Sequence, residues 1–247
     1  MLPNEYKGIV RFVLLLGAFL SGLCACAQIL PDSVVRQSAL TALVNRYDQA
    51  VGEHSRLYNG PEYIDLYANK ILKGHPYYRT DEPLRASIVY DGQKYNSVIL
   101  RYNLFQKVLV VEHPRSHREI ELIQDQIENF QIEDRIFVRL TEPDRAFYAV
   151  LYEGSLKIYA RYNKTIQESM DAKSKTTEFL LKTNFFIKKG HQFHEVSSKA
   201  SVLSVLAERK TELRKFLKQE KISYWANKEY ALQRIGAYYD QLNHSDE

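Results

Sequence analysis

Hydrophobic residues change their spacing twice along this chain. From Ala86 they alternate with polar ones, the period of a strand with one buried face. In ASIVYDGQKYNSVILRYN, Asp91-Gly92 sits between two such runs, and the glycine supplies the positive φ that a tight hairpin turn needs. QKVLVVEH reads as the next strand. HREIELI places His117, Glu119 and Glu121 on one face and Ile120 and Leu122 on the other. DQIENFQI, RIFVRL and AFYAVLYEG continue the series. Glu153-Gly154 then turns the chain into SLKIYARYN, and FFIKKGHQFHEV turns near Lys189-Gly190. Strands about 8–12 residues apart with turn signals predict an antiparallel meander, as a sandwich or an open barrel.

Between the last two hairpins lies NKTIQESMDAKSKTTEF, residues 163–179. It is polar and lacks Gly and Pro, and it is read as an exposed loop or short helix. From Ser198 the period becomes 3.6. Val202, Val205, Leu206, Leu213, Phe216 and Leu217 fall on one helical stripe. A second helix starts at Asn227, its cap, and runs through Tyr230, Ile235, Tyr238, Tyr239 and Leu242, with Gly236 weakening it. Near the other end, residues 33–50 predict a short helix through Val35, Ala39, Ala42, Leu43 and Tyr47. A loop-rich stretch punctuated by Gly60-Pro61 and His75-Pro76 follows it, with a turn of helix near Tyr63, Leu66 and Tyr67. The fold class is therefore α+β: an antiparallel β body over 81–197 and a C-terminal helical hairpin over 198–247 packed on it. The segment 28–80 leads into them, and the whole is one structural domain.

The first residues carry a different pattern. Lys7 and Arg11 precede the apolar run from Phe12 to Leu20, and small residues follow, which is the layout of a secretory leader over 1–27. The run is shorter than the roughly 18 apolar residues a spanning helix needs, and no later segment reaches that length. Two processing readings compete. Ala25-Cys26-Ala27 fits the small-x-small pattern, with cleavage between Ala27 and Gln28. Leu23-Cys24-Ala25-Cys26 is a looser lipobox, with Cys26 as the lipidated residue that would tether the chain to a membrane surface. Cys24 and Cys26 are the only cysteines, so neither reading leaves a thiol for disulfides, nucleophilic chemistry or zinc.

Charge changes the picture little. Removing the leader leaves a net charge of about +3, too mild to demand a nucleic acid, which an exported chain would rarely meet. The 18 tyrosines suit half-buried strand faces first and binding faces second.

Four stretches together resemble a family of exported cell-envelope proteins common in Bacteroidota. They are LYNGPEYIDLY with GHPYY, VYDGQKYNSVILRYNLFQKVLVV, FFIKKGHQFHEVSSKASVLSVLAERKTELRKFLKQEKI, and ALQRIGAYYDQL. The resemblance covers nearly all of the mature chain. It implies an envelope location and a single architecture, and no catalytic motif comes with it. Leaders ending in Ala-Gln are familiar in those bacteria, which favours the cut before Gln28.

Candidate chemistry is sparse. His191 and His194, three apart, fall on opposite faces of the assigned strand. His113 and His117 flank a proline-containing turn that would let both reach one metal ion with Glu112 or Glu119; exposed turn histidines are the plainer reading. No G-x-S-x-G elbow or P-loop is present. Glu119 and Glu121 read as the wet face of a strand rather than an acid–base pair. Residues 188–228 carry an excess of basic groups. Lys210, Arg214, Lys215 and Lys218 lie away from the apolar stripe, as a solvated face or a contact for anionic headgroups or an acidic partner. Catalytic, cofactor-binding and metal residues are thus expected to be absent.

Three functions follow in order. The first is a non-enzymatic exported envelope protein, periplasmic or at the cell surface, that binds another protein. The second is a hydrolase with a nonlocal or His-based metal site. The third is a peripheral protein of an anionic membrane or the cell wall using the basic 188–228 face.

Overall fold

The computed structural model describes residues 36–37, 39–40, 42–43, 56–68, 70, 72–171 and 174–244. The leader, the cut at Ala27-Gln28 and the lipidation candidate Cys26 lie outside them. Chain contacts divide into two units, Met1–Gly52 and Glu53–Glu247. In the first, the described residues of the 33–50 stretch are helical. The second holds residues 53–80 together with the β body and the C-terminal helices.

Ten strands form one open antiparallel sheet: β1 Leu84–Tyr90, β2 Gln93–Asn103, β3 Val108–Glu112, β4 Glu119–Glu121, β5 Ile127–Ile132, β6 Arg135–Leu140, β7 Ala146–Glu153, β8 Leu156–Asp171, β9 Ser174–Lys189 and β10 Gln192–Val196. Their order is β10-β9-β8-β7-β6-β5-β1-β2-β3-β4. β1 to β4 meander to one edge. The chain then returns along the other side of β1, and β5 to β10 meander to the far edge. The Asp91-Gly92 turn has positive φ at both residues, 51° and 73°, the geometry that matches strand twist in a two-residue hairpin. Three helices follow: α1 Lys199–Val205, α2 Lys210–Gln219 and α3 Lys228–His244.

One sheet face and the helices share the main core. Ile88, Leu100, Tyr102, Phe130, Phe137, Ile158 and Ile187 meet Val202, Leu206, Leu213, Leu217, Leu232 and Ile235 there. Each such side chain contributes about 1.5–3 kcal/mol by leaving water. The opposite face carries a smaller aromatic cluster of Tyr148, Tyr159 and Phe186. The Arg161 guanidinium lies over the Tyr148 and Phe186 rings at 5.9 and 5.5 Å, held there by Asp144.

The structure corrects three local expectations. First, 163–171 and 174–179 are neither loop nor helix. They form the distal parts of β8 and β9, a long two-stranded ribbon paired from Leu156↔Lys189 to Asp171↔Ser174. β7 pairs with β8 only as far as Ala160, and β10 with β9 only as far as Phe185, so the ribbon extends past both neighbours. Second, the helical stripe from Ser198 breaks after Val205. Leu206 adopts φ −105° and ψ 45°, and a 3-10 turn at Ala207–Arg209 leads into α2. The bend leaves Leu206 buried while both pieces face the same core.

Third, Gly236 permits the packing of α3 rather than merely weakening the helix. A Cβ there would lie 2.5 and 2.7 Å from Cδ1 and Cγ of Tyr152, near the root of that ring, and 3.1 Å from Ile158 Cδ1. Alanine in a helix gains about 1 kcal/mol over glycine. Forcing α3 off β7 and β8 costs about 1–3 kcal/mol, so the clash wins. Gly236→Ala is therefore expected to destabilise by up to about 2 kcal/mol in urea unfolding. A stabilised variant would contradict this packing.

Candidate functional site

A cleft of about 350 Å³ opens where the ribbon leaves the sheet. It is lined by Tyr78, Arg79, Leu104, Tyr162, Lys164, Phe179, Leu181 and Glu229. Four segments supply it. The loop before β1 is tied to the end of β2: Tyr78 N–H donates to Tyr102 O at 2.8 Å, and Leu104 N–H donates to Pro76 O at 2.9 Å. On the ribbon, alternation puts Tyr162, Lys164 and Ile166 on one face with their cross-strand partners Thr183, Leu181 and Phe179. That face continues the core face of Ile158 and Ala160. The fourth segment is the first turn of α3, which carries Glu229; Asn227 caps it, its Oδ1 accepting from Tyr230 N–H at 3.0 Å.

The floor is polar but closed. Tyr162 donates its hydroxyl to Glu229 Oε1 at 2.6 Å, and Arg135 Nη2 donates to Glu229 Oε2 at 2.9 Å, so both carboxylate oxygens are engaged. Burial and the adjacent Glu229 carboxylate push the Tyr162 phenol well above its ordinary range. Arg135 is 9% exposed, so its charge depends on this pairing. Tyr78 packs edge-on against Phe137 and tilted against Tyr162.

The wall is apolar with cations at its margin. Phe179 sits edge-on to Tyr67 and Phe105, each 5.8 Å away. Leu181 is 57% exposed at the mouth, and Leu180, on the other ribbon face, is 37% exposed. Arg79 pairs with Glu133 and Asp134. Lys164 is half-buried and donates one Nζ–H to His75 O at 2.7 Å. Burial lowers its pKa, partly offset by the more distant Asp81 carboxylate. His75 is lowered too, by burial and then by the Lys164 charge. The cleft thus combines an apolar wall, a satisfied carboxylate and a poorly hydrated ammonium.

The residues singled out in the sequence lie elsewhere. His113 accepts at Nδ1 from the backbone N–H groups of Arg115 and Ser116, and its ring packs edge-on to Tyr58. His117 bonds Glu112 through Nδ1, while Glu119 pairs with Arg101. No group of three His, Cys, Asp or Glu arranged to hold a metal is found among the described residues. His194 lies in β10 and His191 in the turn before it. Lys210, Arg214, Lys215 and Lys218 all line the exposed side of α2, while Leu213, Phe216 and Leu217 are buried on the other. The apolar stripe of α2 is therefore already covered by the core. Among the described residues no helix is long and apolar enough to cross a membrane.

A second polar cluster ties α3 to the sheet. Asp240 Oδ2 accepts from the Tyr152 hydroxyl at 2.6 Å and from Ser155 N–H at 3.1 Å, and Oδ1 accepts from the Ser155 hydroxyl. Burial pushes the Asp240 carboxyl up, but these bonds outweigh it and the group titrates below the ordinary 3.8. A depressed carboxylate stabilises the fold fully above its unfolded pKa and loses that contribution as pH falls through its folded value. The Asp240 contribution should therefore be intact above about pH 5 and fade below about pH 4. Comparing wild type with Asp240→Asn across that range checks it, and a stability difference that stays constant down to pH 2 would refute it.

The sequence offered no motif for this cleft. No family model matches the chain, and neither a curated relative nor a solved structure matches it significantly.

Proposed function

We propose that this is an exported, non-catalytic binding protein of the cell envelope whose cleft and ribbon hold a segment of another protein. One observation carries the binding reading. The apolar wall of the cleft runs out onto the ribbon, where Leu181 is exposed beside the mouth. Exposed apolar surface next to a concave site, rimmed by charge, is what an interaction site presents to a partner. Export is supported by the leader pattern of residues 1–27 and by the family the sequence resembles. The absence of catalysis is supported by the site's composition. Glu229 has both oxygens committed, and among the described residues no Ser, Thr, Cys or His side chain lines the cleft.

The test is a pull-down from envelope extract with the mature chain as bait, alongside Leu181→Asp. The wild type should retain a defined protein under gentle washing and the variant should lose it. Recovery of the bait alone would count against the proposal.

A further inference from the structure

We infer that the cleft is selective for a carboxylate carried on an apolar group, and that the partner proposed above enters it by such a group, as a chain terminus or as an acidic residue beside an apolar one. The identity of the partner rests on the preceding reading; the chemistry of the site does not.

The carboxylate would sit at Lys164. An ammonium has three N–H donors, and among the described residues one of those on Nζ is used, by His75 O. No carboxylate lies within ion-pair distance of it among the described residues. Half-burial has removed part of its water, and the Asp81 carboxylate acts on it only from beyond ion-pair distance. The other charges cannot play this part. Glu229 is closed by Tyr162 and Arg135, and Arg79 is divided between Glu133 and Asp134. Arg79 thus adds positive field at the rim, and Lys164 provides the contact.

The apolar part would lie against Leu104, Phe179 and Leu181. Leu181 is the cross-strand partner of Lys164, and Phe179 follows on the same face, so head group and wall are side by side by register. The volume of about 350 Å³ is at the small end for ligand sites, enough for one or two side chains or a short acyl chain. A phosphate is a poorer fit. It asks for several convergent donors, often a bidentate guanidinium, and one ammonium matches a monoanionic carboxylate better.

Two sources share this chemistry, a peptide and a fatty acid, and the probes separate them. Titration calorimetry on the full mature chain would compare N-acetyl-Phe-Leu with its C-terminal amide, and octanoate with octanol. The dipeptide acid should bind at least tenfold more tightly than its amide. Lys164→Met should erase that preference and Lys164→Arg should keep it, with circular dichroism confirming that both variants are folded. Equal binding of acid and amide, an unchanged preference in Lys164→Met, or no binding of any probe would overturn the site. Octanoate binding with the dipeptide silent would uphold the carboxylate chemistry and overturn the peptide source. A pull-down with Lys164→Met separates the two readings. A partner retained by that variant leaves protein binding standing and removes the cleft as its seat. Acid-selective probe binding without any recovered partner does the reverse.

Discussion

Phe137→Ala should lower the stability of the chain by about 3–5 kcal/mol, the cost of removing a fully buried aromatic ring whose surroundings collapse only partly. In a domain of this size that is a fall on the order of 10 °C in Tm. Phe137 is 0% exposed and stacks on Phe130 with ring centroids 4.7 Å apart and planes inclined by 7°. Tyr78 and Tyr102 meet it edge-on at 5.2 and 5.6 Å, and Tyr162 does so at 6.2 Å. Two of these, Tyr78 and Tyr162, line the cleft. The ring therefore acts on both stability and site: without it, Tyr162, which orients Glu229, and Tyr78 beside it lose their backing. Phe137→Leu keeps most of the volume and should cost clearly less. Equilibrium urea unfolding of the three proteins measures this, and an alanine variant within 1 kcal/mol of wild type would refute the account.

The three glycine hairpins were legible because each turn places a residue that tolerates positive φ between alternating runs. Asp91-Gly92 and Gly190 carry that φ in the structure; Glu153-Gly154 does not, and Gly154 instead makes room for Asp240, whose Oδ2 would clash with a Cβ there. The ribbon was not legible from its own sequence. A strand announces itself by burying every second residue, and past Ala160 the apolar residues are few and do not alternate: Tyr162, Ile166, Met170, Ala172, then Phe179, Leu180 and Leu181 in a row. What holds 163–171 and 174–179 extended is pairing along sixteen-residue strands, together with a short bridge in which Lys73 N–H donates to Thr177 O and Phe179 N–H donates to Lys73 O. Such pairing is invisible to a window that sees one segment at a time. The break at Leu206 is similar: Leu206 and Leu213 keep a helical spacing whether or not the chain bends between them.

The cleft was illegible for a further reason. Tyr78, Leu104, Lys164, Phe179 and Glu229 come from segments far apart in the chain, and none belongs to a spaced motif. Lys164 looked like any charge in a polar stretch. Its environment is set by burial and by the His75 carbonyl, both products of the finished fold. The histidines and the basic run were conspicuous because they were local, yet the structure engages His113 and His117 in their own turn and leaves the four α2 cations on an open helix face.

Asn103→Leu should cost about 3 kcal/mol, although it replaces a polar residue in a core with an apolar one of similar size. Asn103 is 0% exposed and makes four hydrogen bonds. Its Oδ1 accepts from the backbone N–H groups of Phe105 at 2.9 Å and Gln106 at 2.8 Å, closing the turn between β2 and β3. Its Nδ2 donates to the Tyr63 hydroxyl at 2.8 Å and to Gln106 Oε1 at 2.9 Å. Leucine gains about 2 kcal/mol from its transfer into the core. Against that, two backbone donors lose their acceptor at about 1–3 kcal/mol each, and the Tyr63 and Gln106 bonds go as well, so the polar loss wins. Asn103→Asp should be milder in the turn, since a carboxylate oxygen still accepts from both N–H groups, while it loses the two bonds made by Nδ2. The turn carries Leu104, whose N–H donates to Pro76 O and whose side chain is part of the cleft wall. Asn103→Leu should therefore also weaken acid-probe binding, while Gly236→Ala, two turns along α3 from the Glu229 that floors the cleft, should leave it within threefold of wild type. Unfolding and calorimetry on the same preparations test both halves, and an Asn103→Leu protein as stable as wild type would show that this network does not hold the turn.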